Sequence, residues 1–258
     1  MNSGKKPAAV RRYIATIGRA HIGAGLLNPC SGEAVRLALK KMGRETSALQ
    51  AQARALGWKE IKEFIGSAGE GLRADRERAM LCVAYERLAR RGELVPLELR
   101  DIEFWPNGTG QALIRRGKTD AEGHGWVAYL SRETVKWLKL WLDHAKINEG
   151  PIFRRLIGRD QIGEALHPGS IAPIFKRVAR WIGMPARFVA QVSGHSTRVG
   201  AAQDLAELDI DLAAITQAGG WKSTRMPLQY AEKIDAVRSG MARAAAASGR
   251  DDADQMYK

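Results

Sequence analysis

A mainly α-helical fold with one small three-stranded antiparallel sheet is predicted by three features of the sequence. Apolar residues recur at helical spacing in many segments of the 258 residues. Three short apolar and aromatic runs lie between residues 101 and 130, separated by two turn signals. Apolar residues make up 45% of the chain, which is enough for the core of one large domain or two small ones.

Two basic helices are predicted near the start of the sequence, over residues 8–21 and 32–44. The second helix carries basic residues at i, i+4 spacing on one side. Such a stripe is typical of a solvated face, and also of a surface that contacts phosphates. The candidate DNA-contact residues of this helix are Arg36, Lys40, Lys41 and Arg44.

The remaining elements follow from periodicity and turn signals. Helices are expected over "WKEIKEFIGSAG" and 72–91, strands in "DIEFW", "QALIRR" and "WVAYL", and further helices over 131–147, 169–183, 196–206, 209–217, 222–232 and 233–247. The helix over 169–183 has an apolar face of Ile171, Ile174, Phe175 and Val178. Its basic residues Lys176, Arg177 and Arg180 are predicted to point away from that face.

The net charge of +13 and the sequence pI near 10.0 predict a polyanionic partner, nucleic acid before membrane. A basic surface with no such partner is the alternative. The excess is uneven, since residues 1–60 hold eleven Lys or Arg against three Glu. Cys30 and Cys82 match no metal-ligand spacing, and Cys82 is expected to be a small core residue. Without a signal segment or a long apolar run, the protein is expected to be intracellular and soluble.

The segment "GTGQALIRRGKT" ends in Gly-Lys-Thr, as a phosphate-binding loop does. Such a loop has four residues between its glycines and joins a strand to a helix. Here six residues separate Gly110 from Gly117, and a hairpin is predicted around them. The sequence therefore excludes a nucleotide-binding loop and leaves Lys118 at a hairpin tip.

Four stretches carry residues suited to phosphoryl transfer. Two arginines can hold the oxygens of a phosphodiester, a histidine can share a proton, a lysine can protonate a leaving alkoxide, and a tyrosine can attack phosphorus. Taken singly, a histidine that starts a helix or a tryptophan that follows two glycines has a structural role more often than a catalytic one. The order and spacing of these residues together favour a catalytic role in phosphoryl transfer. The candidates are Arg90, Glu93, Lys118, His195, Arg198, Trp221 and Tyr230.

The stretch "SGHSTRVGAAQDLAELDIDLAAITQAGGWKSTRMPLQYAE" resembles the tyrosine recombinase, or phage integrase, family. The family pattern is H-x-x-R, a helix pair, a G-G-W or G-H turn, and a tyrosine nine residues later. Trp221 and Tyr230 have this spacing, and "AYERLARRGEL" resembles the family's first-arginine motif. The resemblance runs from about residue 57 to 247. It implies the DNA breaking-rejoining catalytic fold.

The resemblance also implies the role of each candidate residue. Tyr230 would form a 3′-phosphotyrosyl bond to DNA, Arg90 and Arg198 would bind the scissile phosphate, and His195 would help to manage the tyrosine proton and the phosphate oxygen. Trp221 would donate its indole N–H to the phosphate, Glu93 would orient Arg90 and His195, and Lys118 would be the general acid for the 5′-oxygen. No metal, ATP or other cofactor is implied.

For organisation, the resemblance implies a partial N-terminal core-binding helical segment over 1–50, a catalytic domain over 51–248, and a disordered tail over 249–258. Family members usually carry a fuller N-terminal domain, so this chain is expected to bind DNA more weakly. The implied partners are double-stranded DNA and further copies of the chain, as a tetramer docked through the helix after Tyr230, with no membrane. The implied location is the cytoplasm of a bacterium or of a phage-infected cell, at the nucleoid.

Two alternative functions remain open from the sequence. A type IB topoisomerase uses the same residues without strand exchange, and synapsis of two sites would distinguish it. A catalytically silent DNA-binding regulator is the alternative from another class. The presence of all six residues Arg90, Lys118, His195, Arg198, Trp221 and Tyr230 argues against this regulator, since a silent protein has no chemical need for them.

Overall fold

A computed structural model describes residues 7–45, 52–115, 125–158, 161–231 and 239–250. The chain divides into two compact units, one ending at Gln52 and the other beginning at Ala53. The predicted domain boundary between residues 50 and 51 lies beside this division, and the assignment of each domain remains a prediction. Residues 251–258 of the predicted tail lie outside the described part of the chain.

The first unit contains two helices, α1 (Pro7–Gly23) and α2 (Glu33–Glu45), as the periodicity predicts. The basic residues of α2 are exposed. Two of them form ion pairs within the helix, Arg36 with Glu33 and Lys41 with Glu45. Exposed ion pairs of this kind contribute little to stability, so these charges can exchange partners readily.

The second unit is helix-rich and contains two small antiparallel sheets. Its helices are α3 (Trp58–Ser67), α4 (Leu72–Glu86), α5 (Arg91–Leu94), α6 (Arg132–His144), α7 (Ile171–Trp181), α8 (Ala186–Gln191), α9 (Ser196–Glu207), α10 (Leu212–Ala218), α11 (Arg225–Ala231) and α12 (Gly240–Ala247). Its strands are β1 (Ile102–Phe104), β2 (Gly110–Ile114), β3 (Trp126–Leu130), β4 (Arg154–Ile157) and β5 (Gln161–Ala165). None of the helices in the described ranges combines the length and apolar character that a membrane span requires.

The predicted three-stranded sheet is confirmed, with strands in the order β1-β2-β3 and both pairs antiparallel. Gly110 lies in β2, opposite Phe104 of β1 and Leu130 of β3. A Cβ at this position would lie 2.5 Å from the carbonyl oxygen of Glu103, so only glycine allows the two strands to approach. Gly110, the glycine at the start of the segment that resembles a phosphate-binding loop, therefore serves strand pairing.

The structure differs from the prediction in two features. The helix predicted over 72–91 ends at Glu86, and a separate short helix follows at Arg91–Leu94. The hairpin of β4 and β5 was not predicted, because its residues show no clear alternation of apolar and polar side chains. Residues 233–238 of the helix predicted over 233–247 lie outside the described residues, and the described part of that range contains α12.

Helix α4 runs through the centre of the second unit. From Asp75 to Ala84 all its residues are buried, and α6 packs along it. Cys82 has no exposed surface, which confirms the prediction of a core cysteine. Because α4 is buried on every side, it is a rigid base for the residues that follow its C-terminal end.

Candidate active site

Helix α9 carries the pair His195 and Arg198, and two contacts fix it against the start of α3. A Cβ on Gly200 would lie 2.2 Å from the carbonyl oxygen of Leu56, so glycine allows the helix to touch that segment. One turn further on, Asp204 accepts hydrogen bonds from the backbone N–H of Trp58 and the hydroxyl of Tyr85, both at 2.7 Å. Tyr85 belongs to α4, so α9 is fixed to the central helix.

Arg198 is 1% exposed and lies at the centre of the candidate site. Its Nη1 donates to the carbonyl oxygen of Leu88, and its Nη2 donates to the carbonyl oxygen of Gly219 at 2.7 Å. Its guanidinium carbon lies 4.0 Å from the centroid of the Trp221 ring. Burial, followed by the charge of Arg90, lowers the pKa of Arg198 to about 10. The group is still a cation at neutral pH, and two backbone carbonyls accept its hydrogen bonds.

Leu88 has a left-handed backbone, with φ of 42°, although it is not glycine and is buried. This conformation costs about 1 kcal/mol or more for a residue with a side chain. It ends the path of α4, since the N–H of Leu88 bonds to Tyr85 and the N–H of Ala89 bonds to Ala84. It also directs the Leu88 carbonyl towards Arg198, so the strained residue has a direct role in positioning the arginine.

Arg90 and Glu93 form the second part of the site, on the short helix α5. Glu93 accepts from the Nη1 of Arg90 at 2.6 Å and from its backbone N–H at 3.0 Å. Arg90 is close enough to Arg198 for its charge to lower the pKa of that group. Two guanidinium groups side by side repel each other, so the pair favours an anion between them. Glu93 thus bonds to both the backbone and the side chain of Arg90, and its role in catalysis stays a prediction.

His195 lies at the N-cap of α9, beside these arginines. Partial burial of the imidazole, followed by the charges of Arg198, Arg91 and Arg90, lowers its pKa below the usual 6.5, and Glu93 opposes the shift. The imidazole is therefore neutral at pH 7 and can accept a proton. Glu93 acts on His195 through its charge, whereas it contacts Arg90 directly.

Trp221 and Tyr230 bring the two ends of the C-terminal motif together. Their ring centroids are 5.9 Å apart, and both rings pack on the small apolar cluster of Leu88, Ala201 and Ala202. The Tyr230 side chain lies close enough to the Arg198 guanidinium to raise the pKa of that group. The backbone carbonyl of Tyr230 accepts from Nε2 of Gln203 at 3.2 Å, which ties α11 to α9.

The structure thus brings Arg90, Glu93, His195, Arg198, Trp221 and Tyr230 into one site. Lys118 lies outside the described residues, between the ends of β2 and β3. The sequence analysis missed the carbonyl groups of Leu88 and Gly219, because backbone acceptors leave no residue-type signal. It also missed Arg91, whose charge acts on His195; the Arg-Arg doublet was the available signal.

A groove between α7 and α8 carries further basic residues. The predicted apolar face of α7 is confirmed, since Ile171, Ile174, Phe175 and Val178 are all buried. The three basic residues of α7 that were predicted to contact DNA have different surroundings. Lys176 and Arg180 line a shallow groove between α7 and α8. Arg177 instead forms an ion pair with Glu77, a buried residue of α4.

A family model described as the phage integrase family matches residues 54–236. The chain is 30% identical over 239 residues to an integrase/recombinase XerD homolog from Selenomonas ruminantium, a match that covers 88% of this chain and 69% of the relative. It is 25% identical over 252 residues to recombinase Cre from Escherichia phage P1, with 91% and 73% covered. The chain therefore belongs to the phage integrase family, and it is an enzyme of the tyrosine recombinase class, as the sequence motifs predict.

Solved structures of tyrosine recombinases share the fold. An integrase of transposon Tn1549, in complex with a circular intermediate DNA, is similar with a TM-score of 0.65 and 14% identity over 96% of this chain and 81% of that one. The XerH site-specific recombinase, in a post-cleavage complex with its difH substrate, has a TM-score of 0.61 and 18% identity over 84% of this chain. The match spans 63% of the XerH chain, which is less than two thirds. These similarities confirm the predicted fold class.

Proposed function

We propose that the protein is a site-specific DNA recombinase that cleaves and rejoins DNA through a 3′-phosphotyrosyl intermediate. The observation that carries this proposal is the grouping of Tyr230 with Arg198, Arg90 and a neutral His195. The two guanidinium groups provide positive charge for a phosphate, and the tyrosine lies beside them as a nucleophile. The related recombinases and the DNA complexes of the structural neighbours support the assignment to DNA.

In the proposed reaction, the hydroxyl oxygen of Tyr230 attacks the scissile phosphorus. A new P–O bond forms to the tyrosine, and the bond from phosphorus to the 5′-oxygen breaks. Arg90 and Arg198 bind the non-bridging oxygens, where negative charge grows in the transition state. His195 accepts the tyrosine's proton or hydrogen-bonds a phosphate oxygen, which its neutral form at pH 7 allows. Trp221 donates its indole N–H to the phosphate.

The 5′-oxygen leaves as a hydroxyl once it has taken a proton, which Lys118 supplies in this proposal. The phosphotyrosyl ester retains the energy of the broken phosphodiester bond. A 5′-hydroxyl from the same or another strand can then attack that ester and restore the DNA backbone. Because the bond energy is kept, rejoining needs no ATP. In the proposed cycle the positive charge that stabilises the transition state comes from Arg90 and Arg198.

Formation of a covalent adduct tests the function directly. The protein is incubated with nicked suicide DNA duplexes taken from its own genomic neighbourhood, in which the cleaved end diffuses away. We expect a protein–DNA band that resists denaturation and disappears on protease treatment. DNA binding with no adduct on any of the duplexes would instead support the silent regulator. An adduct with relaxation of supercoils but no joining of two sites would support the topoisomerase.

The groove between α7 and α8 is proposed to contact the DNA backbone through Lys176 and Arg180. Both residues line the groove, and a basic groove attracts phosphates. We expect Lys176→Ala and Arg180→Ala each to weaken DNA binding and to reduce the slope of log K against log salt by about one unit. Titrations by fluorescence anisotropy at several salt concentrations measure both quantities.

Arg177→Ala is the matched control for this prediction, since it removes the same charge from the same helix. The Arg177 guanidinium is occupied by Glu77, so its loss should lower thermal stability and leave the salt slope unchanged. Unchanged slopes for both Lys176→Ala and Arg180→Ala would place the groove away from DNA. The exposed residues Arg36, Lys40, Lys41 and Arg44 are proposed as further phosphate contacts.

Assembly on DNA is proposed to use the helix after Tyr230. Helix α12 has no buried residue, and Met241 on it is 70% exposed. Ile234 and Val237 of the same predicted face lie outside the described residues. An exposed apolar side chain such as Met241 is suited to docking on a neighbouring copy, as the proposed tetramer on nucleoid DNA requires.

We therefore expect deletion of residues 233–258 to preserve binding of one protein to one half-site and to abolish cooperative occupation of a full site. Gel-shift titrations on half-sites and full sites measure the two effects. Deletion of 251–258 alone is the control and should retain cooperativity. Full cooperativity in the longer deletion would mean that the segment packs on its own chain.

A further inference from the structure

The indole of Trp126 packs directly on the glycine turn that precedes Trp221. A Cβ built on Gly220 would lie 2.6 Å from Cζ2 and 2.9 Å from Cε2 of Trp126, so the ring lies against the bare backbone of the turn. Gly220 also has a left-handed backbone, with φ of 57°. Trp126 begins β3 and pairs with Ile114 of β2. The first residue of β3 therefore brings the sheet into contact with the turn.

The turn that Trp126 contacts controls two groups of the candidate site. The carbonyl of Gly219 accepts from Nη2 of Arg198 at 2.7 Å. A Cβ on Gly219 would lie 1.9 Å from the Trp221 ring, so that ring folds back over the turn. The ring also lies 4.0 Å from the Arg198 guanidinium. A shift of the turn would thus move both Trp221 and the acceptor that orients Arg198.

The polar atom of Trp126 does not explain its position. Its Nε1 is buried and has no hydrogen-bond partner among the described residues. Burying an unpaired N–H destabilises the folded state, and a phenylalanine would avoid that cost. The indole contributes shape and reach, which are the properties that a packing contact with a glycine turn needs.

We propose that Trp126 is a positioning residue, which holds the Gly219–Trp221 turn so that Arg198 and Trp221 are aligned for the scissile phosphate. This inference rests on the proposed function. Because the turn acts on the phosphate and not on the leaving group, loss of Trp126 should slow cleavage regardless of how easily the 5′-group departs. A misplacement of about 1 Å in such a site can cost about 100-fold in rate.

The test compares Trp126→Ala, Trp126→Leu and Trp126→Phe on two suicide substrates. One substrate has the natural 5′-oxygen, and the other has sulfur at that bridging position, which leaves without a proton. We expect Trp126→Ala to form adduct about 10–100-fold more slowly on both substrates, with half-site binding retained. Trp126→Phe, which keeps a ring of shorter reach, should fall between the wild type and Trp126→Ala. Trp126→Leu keeps apolar volume and provides the same test if the alanine variant does not fold.

The contact is also tested from its other side. Gly220→Ala places a methyl group against the Trp126 ring, so it should slow adduct formation on both substrates. Trp126→Ala removes the clash, so the double variant should lose less in the rate of adduct formation than the product of the two single losses. A rate loss in the double variant equal to that product would overturn the proposed contact.

Three further results would overturn the inference. Trp126→Ala and Trp126→Leu could form adduct at the wild-type rate. Their defect could disappear on the sulfur substrate, which would mean that Trp126 serves the leaving group. The wild type could form no adduct on either substrate, in which case the proposed function fails first. That last result is separate from the others, because it requires no variant.

Discussion

The Tyr230→Phe variant is expected to bind its DNA site as the wild type does and to form no covalent adduct. The substitution removes only the hydroxyl oxygen, which is the proposed nucleophile. The ring keeps its packing beside Trp221, with centroids 5.9 Å apart, and on the cluster of Leu88, Ala201 and Ala202. Adduct yield on a suicide duplex and affinity by anisotropy are measured on the same preparation.

Tyr129→Phe is the matched control, because Tyr129 is 58% exposed on β3 and undergoes the same chemical change. It should give the wild-type adduct yield. The attachment point is then mapped by protease digestion of the wild-type adduct. The nucleotide mass should lie on the peptide "MPLQYAEK", which contains Tyr230. A normal yield from Tyr230→Phe, or DNA on another peptide, would move the nucleophile elsewhere.

Lys118→Ala is expected to slow cleavage of natural DNA by about 10²–10⁴-fold, the usual contribution of a general acid. A 5′-oxygen leaves poorly unless a proton reaches it in the transition state. Replacing that oxygen with sulfur gives a leaving group that needs no proton. If Lys118 is the acid, the variant should cleave the sulfur strand at nearly the wild-type rate. Single-turnover adduct formation on the two strands measures the difference.

Lys118→Arg separates proton donation from phosphate binding. Arginine keeps the positive charge but holds its proton too tightly to act as an acid at neutral pH. It should therefore be slow on natural DNA and nearly normal on the sulfur strand. Equal impairment of Lys118→Ala on both strands would mean that the lysine clamps phosphate, and no impairment would mean that it is a surface residue.

The residues that the structure groups in the candidate site were predictable because the proposed chemistry requires certain residue types at set spacings. The nine-residue interval between Trp221 and Tyr230 spans one turn and one short helix, which places both rings on one cluster. The three-residue interval in Arg90 and Glu93 allows the carboxylate to reach both the backbone and the side chain of the arginine. These are local relations, and the sequence shows them directly.

The end of α4 could not be predicted in the same way. The segment around Leu88 has good helix-forming residues, so periodicity extends the helix to residue 91. The left-handed backbone at Leu88 forms because tertiary contacts compensate its cost, among them the hydrogen bond from Arg198, 110 residues later in the chain. No local pattern contains that information.

Arg177 shows the same limit for charged residues. Helical spacing places it with Lys176 and Arg180 away from the apolar face of α7, so the sequence predicts all three equally as DNA contacts. The acidic partner Glu77 lies 100 residues earlier and is buried in α4. A buried carboxylate requires a cation, so the pair reflects the needs of the core. Trp126 is a similar case, since its partner is the backbone of Gly220.

The backbone acceptors of Arg198 set unequal limits on how the site can drift during evolution. A carbonyl is present whatever side chain its residue carries, so the hydrogen bond at position 88 survives any replacement that keeps the backbone left-handed, as glycine and asparagine readily do. Position 219 has no such freedom, because any side chain would collide with the Trp221 ring. The two acceptors of one guanidinium thus impose different requirements: position 88 requires a backbone conformation, whereas position 219 requires the absence of a side chain.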